Sequence, residues 1–584
     1  MTVPPPVSRA RSRRWPVSAI VAVVVCTVLF VLPVVTIVIG AFRSAAPGQA
    51  GHWTVEPLLR TWSDPHTFRT LGDSVLLAVS VAVLATLLGS YLAFLVARTD
   101  TPLRRIVLPL AALVLAMPPL FFAISWSLVG NGTVGLLNTV WQALTGTDWN
   151  PVNIESWAGL ILVATLKTTG LVVLLLTGAF RAMDRSQEEA AIVSGASRTR
   201  VFFGIDLPAL APAVLGVAVL AVIVGMEYFD LPLIIGTPAG ISVFATEIYS
   251  SLNAFVPPRY PEASALALML VLVLLVLLLL QTRALGGRDF ATVRGKSGRA
   301  EVWRLGAWRG LGTAVIVLYA LLALVLPLLQ LVLVSLAPFF GVYDRPSLRN
   351  YTSALSDPDV TSGLLTTAGL AIGGGLVAVL VAVLVSYVAR RSSRFVAGYL
   401  RVTTWLPWSL PGTALALGLL WTLLVVPFAS GLYGTAALLL IGLVLAATPI
   451  GMRTVEPVIG QIAGDLEEAA WTSGARPGRA FRDVVLRLVA PSLLTGWLLA
   501  SILVAGNLAI PLMLGSLDTV TVPSLVYELY GSGNVPEAAA VLCLMLAGFA
   551  LLGVVALAVS TWSARGRGRP GPAVPAPTRK DYPR

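Results

Sequence analysis

Apolar and polar positions do not alternate along this chain. Apolar residues gather into runs of roughly twenty or more, separated by short polar stretches. In the first part the runs fall at about 17–42, 70–96, 106–129, 157–180, 209–235 and 263–282. In the second part they fall at about 311–336, 362–389, 398–422, 432–452, 491–515 and 537–560. Each is long enough to cross a hydrocarbon core of about 30 Å as a helix. Backbone groups inside lipid must be paired within the segment, so these runs predict helices. The alternating segments of about ten residues that make a membrane barrel are not seen. The run at 17–42 follows Arg9, Arg11, Arg13 and Arg14 and imitates a leader, but it exceeds an apolar leader core of about 7–15 residues. It reads as a first membrane helix. The expected fold class is therefore all-α and polytopic, with about twelve transmembrane helices.

Composition supports this. Of 584 residues, 57% are hydrophobic and 12% charged, against about 25% charged in soluble chains. The net charge of +12 would suit nucleic acid if it formed one compact basic domain. Instead the arginines lie between apolar runs, as a topology signal does, and nucleic acid is not an expected partner. Arg98, Arg104 and Arg105, then Arg181, Arg185, Arg198 and Arg200, then Arg390, Arg391 and Arg394, then Arg476, Arg479 and Arg482 all fall on one set of connections. The opposite set carries Asp148, Glu155, Asp357, Asp359 and Asp518. The arginine-rich set is expected inside the cell, with both termini. Residues 283–310 read as a cytoplasmic linker, and residues 561–584 as a disordered basic tail.

The chain repeats itself. Glu189-Ala190-Ala191, Gly195 and Pro212 recur as Glu468-Ala469-Ala470, Gly474 and Pro491, at a constant offset of 279. Earlier, Val96-Ala97-Arg98 matches Val388-Ala389-Arg390 at an offset of 292. An insertion in the first copy is expected within 130–156. Two six-helix units of like orientation follow: 1–282 with its core at 70–282, and 311–560 with its core at 362–560. Parallel repeats of this kind are related by an axis along the membrane normal.

The repeated segment joins two membrane helices on the arginine-rich side. Alanine and glutamate favour helix, Gly195 allows a sharp turn, and Pro208 suits the first turn of the next span. A short helix lying along the membrane face, exposed to a partner, is the reading. Glu189-Ala190-Ala191, three residues, Gly195, nine residues and Ile205-Asp206-Leu207-Pro208 resemble the signature loop of ABC importer permeases. The second copy keeps the spacing but has Val484 and Arg487 in place of the Ile and Pro, which leaves its exit geometry open.

The chain thus resembles the type I, MetI-like permeases, the inner-membrane components of binding-protein-dependent transport, in the fused two-copy form of the ferric-iron and thiamine systems. That resemblance implies the type I importer fold and a bacterial cytoplasmic membrane location. It implies two copies of a cytoplasmic ABC ATPase, docked at Glu189, Ala190, Ala191, Gly195 and Pro208 and at Glu468, Ala469, Ala470 and Gly474. It also implies an extracytoplasmic binding protein that usually sets specificity. Ferric iron is the expected substrate, with thiamine, polyamine and phosphonate as alternatives. A twelve-helix secondary transporter is the rival class, for which paired loops of this kind have no use.

No cofactor is expected on this chain, since ATP and Mg would be bound by the partner ATPase. Gly295-Lys296-Ser297 imitates a P-loop, but the glycine needed five residues earlier is Phe290. No catalytic or metal-ligating constellation is apparent. His52 and His66 both fall in the first external loop and read as solvated. Charges inside spans suggest function by default. Lys167 lies mid-span, and Glu227 and Asp230 lie in the outer part of the fifth run at similar depth. A Lys167 pair with one of these acids beside the pathway is expected, with simple helix packing as the alternative. The second copy has Gly506 and Ala509 at the acid positions, with Asn507 adjacent. Trp126 and Trp421 read as interfacial anchors.

Overall fold

A computed structural model describes residues 17–183, 186–284, 303–426, 429–462, 464–516 and 518–567. The Arg9–Arg14 cluster, Arg185, most of the 283–310 linker, the Gly295-Lys296-Ser297 tripeptide and most of the basic tail lie outside them. The described residues form helices throughout and carry no strand longer than an isolated bridge.

Ten helices are long and apolar enough to span a membrane. In the first half these are α1 (Val17–Ala41), α3 (Pro65–Arg98), α6 (Trp157–Ala182), α8 (Phe202–Met226) and α10 (Tyr260–Gln281). The short helix α2 (Glu56–Ser63) precedes α3. In the second half they are α11 (Gly306–Leu336), α13 (Pro358–Arg391), α16 (Ala436–Gln461), α18 (Gly478–Ala505) and α20 (Val535–Ala558). The short helix α12 (Arg349–Ser356) precedes α13.

The third and ninth expected spans are not straight. Helices α4 (Arg104–Ala116) and α5 (Pro119–Val129) meet at 97°, and α14 (Arg394–Trp408) and α15 (Gly412–Val425) meet at 112°. Proline explains both bends. Pro118 and Pro119 follow Met117, and Pro411 follows Leu410. A proline lacks the N–H that a continuing helix would use, and it pushes the preceding residue out of the helical region. Met117 and Leu410 are accordingly extended. Counting each of these two bent pairs once, the two halves carry six spans apiece. The fifth expected span also ends early, at Met226. Beyond it Pro232–Ala239 and α9 (Phe244–Asn253) form a third bent pair at 82°.

The bends bury the second arm of each pair. All ten residues from Leu120 to Val129 are buried, as expected of a helix that is apolar all round. Trp126 and Trp421 lie on these inner arms and are 1% and 2% exposed. They are core residues rather than interfacial anchors, because the kink turns their helices away from the lipid boundary.

Each half lends its first helix to the other. The C-terminal end of α1 packs on α15, and the C-terminal end of α11 packs on α5. Thr36 donates to the carbonyl of Gly418 at 2.9 Å, and Gln330 donates to the carbonyl of Leu128 at 3.3 Å. Gly418 allows the first contact, since a Cβ there would lie 2.5 Å from the Pro33 carbonyl oxygen.

Within each half, α3 packs on α6 and α8, and α13 packs on α16 and α18. Helices α6 and α16 both contain 26 residues and stand 279 apart. The register change therefore falls before Trp157, where the first half carries an extra helix, Leu136–Thr145. Helices α3 and α13 both contain 34 residues and stand 293 apart. The structural register of these helices is one residue off the 292 read from the Val-Ala-Arg match. The chain re-enters the described residues at Trp303, which pairs with Thr99 and packs its ring on Phe94 and Phe202.

Candidate functional site: the paired loops and the broken helices

The repeated segment folds alike in both halves. Helix α7 (Ser186–Val193) contains Glu189, Ala190 and Ala191, and α17 (Gly464–Thr472) contains Glu468, Ala469 and Ala470. Each ends at a glycine in the left-handed region, Gly195 at φ +88° and Gly474 at φ +86°. The amide just beyond reaches back to the helix: Ala196 to the Ala191 carbonyl and Ala475 to the Ala470 carbonyl, both at 2.9 Å. This is the glycine-terminated helix end in which the sixth residue closes on the first. Only glycine takes that conformation without strain. Glu189, Ala190 and Gly195 are exposed, as are Ala469 and Gly474. The side chain of Glu468 lies outside the described set.

A wide helical turn then leads into each next span, Phe202–Asp206 in one half and Phe481–Leu486 in the other. The second loop leaves by the same route although Arg487 replaces the proline. A proline in a first turn tolerates that geometry but is not needed to make it.

Beneath each exposed face a glutamate turns inward. Glu188 and Glu467, one residue before Glu189 and Glu468, are buried. Glu188 accepts a charged hydrogen bond from Arg98 at the end of α3, and Glu467 accepts one from Arg391 at the end of α13. Arg98 is itself buried and also lies 3.7 Å from Asp206. In the second half Val485 takes the place of Asp206, and the hydroxyl of Tyr387 donates to Glu467 at 3.1 Å. Sequence reasoning missed Glu188 and Glu467. The doubled Glu-Glu-Ala-Ala was visible, but only folding shows which glutamate faces in.

The intramembrane charges gather at the first broken helix. The Lys167 ammonium donates to the carbonyls of Val114 at 2.8 Å, Leu115 at 2.9 Å and Met117, and it lies 5.3 Å from the centre of the Phe122 ring. These carbonyls are the unpaired end of α4, where a cation is favoured. Asp230 lies near the backbone amide of Leu120, at the start of α5, and interacts electrostatically with Lys167. The lysine and the aspartate thus serve opposite ends of one break, and neither Asp230 nor Glu227 forms a direct ion pair with Lys167. Glu227 stands apart: its Oε1 is enclosed without a hydrogen-bond partner. Asn507 accepts the amide of Ile510 at 3.0 Å and so caps the turn that follows α18. Gly506 packs against Pro118 of the other half, and a Cβ there would lie 2.6 Å from that ring.

At the end of the bundle away from the paired loops, α9 and its counterpart α19 (Val522–Gly531) are each held by a hydroxyl of a long helix. Phe244 N–H donates to Ser74 at 2.9 Å, and Val522 N–H donates to Thr367 at 2.8 Å. Tyr249 of α9 and Tyr527 of α19 lie close to one another. They share the wall of an open cavity of about 320 Å³, with Glu247, Thr246 and Ser250. His66 lies 3.4 Å from Glu247, and His52 bonds Ser44. The two histidines do not meet, and no group of three metal-ligating side chains occurs among the described residues.

The family described as binding-protein-dependent transport system inner membrane component matches the chain twice, over residues 85–288 and 374–567. The chain belongs to that family. It is an ABC importer permease with two permease units in one polypeptide, and a multi-pass inner-membrane protein. The permease is similar to the ferric transport system permease protein FbpB of Actinobacillus pleuropneumoniae, with 24% identity covering 82% of this chain and 69% of the relative. It is also 24% identical to the putative ferric transport system permease protein FbpB 1 of Haemophilus influenzae, over 82% of this chain and 75% of the relative. The diacetylchitobiose uptake system permease protein NgcG of Streptomyces coelicolor is 27% identical over 38% of the permease and 70% of its own length.

Proposed function

We propose that the permease forms the whole translocation pathway of an ATP-driven importer for ferric iron. Two ATPase subunits dock on α7 and α17 through the exposed faces around Glu189 to Ala191 and Glu468 to Ala470, with Gly195 and Gly474 giving each helix its sharp end. Pro208 then starts the span that follows the first docking helix. An extracytoplasmic binding protein delivers the substrate on the Tyr249 side. Both termini lie in the cytoplasm. ATP and Mg belong to the ATPase.

The observation that carries this reading is the repeated, glycine-ended helix exposed on one side of each half. Two equivalent levers suit a motor with two equivalent subunits. The names of the two relatives aligned along most of the chain support ferric iron as cargo. Glu227 is the residue assigned to the pathway, because its carboxylate oxygen is enclosed and unpartnered. Lys167, Asp230 and Asn507 frame the pathway by holding the helix breaks beside it. One carboxylate is too few oxygen ligands to retain a hard cation, which suits a conduit that must release what it carries.

Uptake of labelled ferric iron by cells lacking and then regaining the permease tests the reading. Restoration of ATP-dependent ferric uptake is expected. Unchanged ferric uptake, with restored uptake of a sugar or a phosphonate, would replace the substrate. Purified permease that never carries an ATPase subunit from native membranes would remove the docking assignment.

A further inference from the structure

The two ion pairs sit at one end of the 34-residue helices α3 and α13, and the hydroxyl contacts with α9 and α19 sit near the other. Ser74 and Arg98 are 24 residues apart on α3, about 36 Å along the helix axis, so they lie on opposite sides of a hydrocarbon core about 30 Å thick. At the inner end Arg98 holds α7 through Glu188. At the outer end Ser74 holds α9, whose Tyr249 meets Tyr527. The same three links recur in the other half: Arg391 with Glu467, Thr367 with Val522, and Tyr527 with Tyr249. We infer that Arg98–Glu188 and Arg391–Glu467 are positioning contacts that lock each docking helix to a membrane-long rod, so that displacement of the docking helix reaches the Tyr249–Tyr527 closure on the outer face.

The physics favours a rod over a diffuse route. A packed helix of 34 residues resists bending, because bending lengthens many backbone hydrogen bonds at once. A charged hydrogen bond shielded from water is stronger than a neutral one. Breaking one side leaves a buried charge without its partner, which is costly. Arg390 adds a second fastening, donating to the carbonyls of Ile459 and Ile462 at the end of α16. The two clamps are chemically unequal. Arg98 is 2% exposed and bridges two acids, whereas Arg391 is 36% exposed and lies over the Tyr387 ring at 4.5 Å. The first-half clamp therefore carries the stiffer link.

This inference rests on the docking role proposed above, and the test separates the two. The permease is purified with its ATPase subunits and placed in lipid nanodiscs. Ser250→Cys on α9 reports outer accessibility to a membrane-impermeant maleimide, against the same protein without the added cysteine. In the otherwise unaltered reporter, the labelling rate is expected to change with ATP and Mg. In Glu467→Gln and Glu188→Gln that change is expected to fall about tenfold, with bound ATPase and basal hydrolysis kept. The Glu188→Gln loss is expected to be the larger. The exchange Arg391→Glu with Glu467→Arg, at the more exposed clamp, is expected to restore part of the response. An unaltered response in both glutamine variants overturns the inference while leaving the docking role intact. So does loss of bound ATPase in those variants, since the clamps would then serve docking alone. A reporter protein that carries no ATPase subunit overturns the docking role itself.

Discussion

Trp421 donates its indole N–H to the hydroxyl of Ser264 at 2.9 Å, within the core where the first helix of one half crosses the bent helix of the other. Trp126 lies on the bent helix of the first half, and its indole nitrogen has no partner. The tryptophans should therefore respond differently to the same change. Trp421→Phe is expected to lower stability by about 1 kcal/mol more than Trp126→Phe, the usual net worth of a buried hydrogen bond. Thermal unfolding of the detergent-solubilised permease measures the difference. Equal losses would show that the indole bond contributes nothing.

Lys167 should matter for stability before it matters for transport. Lys167→Met leaves the three carbonyls at the end of α4 without a donor and Asp230 without its nearby cation. A loss of about 3 kcal/mol is expected, as for breaking one side of a buried charge interaction. Adding Asp230→Asn should recover part of it, because the remaining carboxylate is then gone. The thermal midpoints of the single and double variants decide this.

Glu227 should show the opposite balance. Its Oε1 makes no hydrogen bond that Glu227→Gln would break. The variant is expected to match or exceed the wild-type unfolding temperature while uptake falls severalfold. Initial rates of ferric uptake at matched expression check this. Unchanged rates would remove Glu227 from the pathway.

Gly195 and Gly474 end α7 and α17, proposed to dock the ATPase, in a conformation that costs other residues roughly 1–2 kcal/mol. No atom lies within 4 Å of a Cβ built at either position, so the cost to the isolated chain is conformational alone. Gly195→Ala is expected to weaken ATPase binding, and Gly195→Asn less so, since asparagine tolerates this region better. Retention of the ATPase on immobilised permease provides the comparison.

The closeness of Tyr249 and Tyr527, at the end away from the paired loops, predicts a block. Cysteines at Tyr249 and Tyr527, joined by a short bismaleimide, should abolish uptake, while either cysteine alone treated the same way should not. Uptake that survives complete cross-linking would show that these helices need not separate.

Much of this was legible beforehand, for stated reasons. Apolar run length marks a membrane helix because lipid punishes an unpaired backbone group. The glycine and alanine spacing marked the paired short helices because a left-handed helix end admits few residue types. The bends were less legible. Met117-Pro118-Pro119 and Leu410-Pro411 sat in plain view inside apolar runs, but prolines also occur inside spans that stay nearly straight, as Pro449 and Pro457 do in α16. Trp126 and Trp421 were misplaced for the same cause. Depth along a straight helix puts them at the boundary, whereas the kink carries them inward.

From the order of residues alone came the helical membrane class, the two repeated units, and the paired short helices with their glycine ends. These rest on local periodicity and backbone conformation, which neighbours along the chain set. Tertiary structure alone decided that Lys167 and Asp230 serve two ends of one broken helix, that Glu188 rather than Glu189 turns inward to Arg98, and that Tyr249 meets Tyr527. Each of these joins residues from different helices, and such meetings depend on how helices bend and cross, which no local pattern encodes.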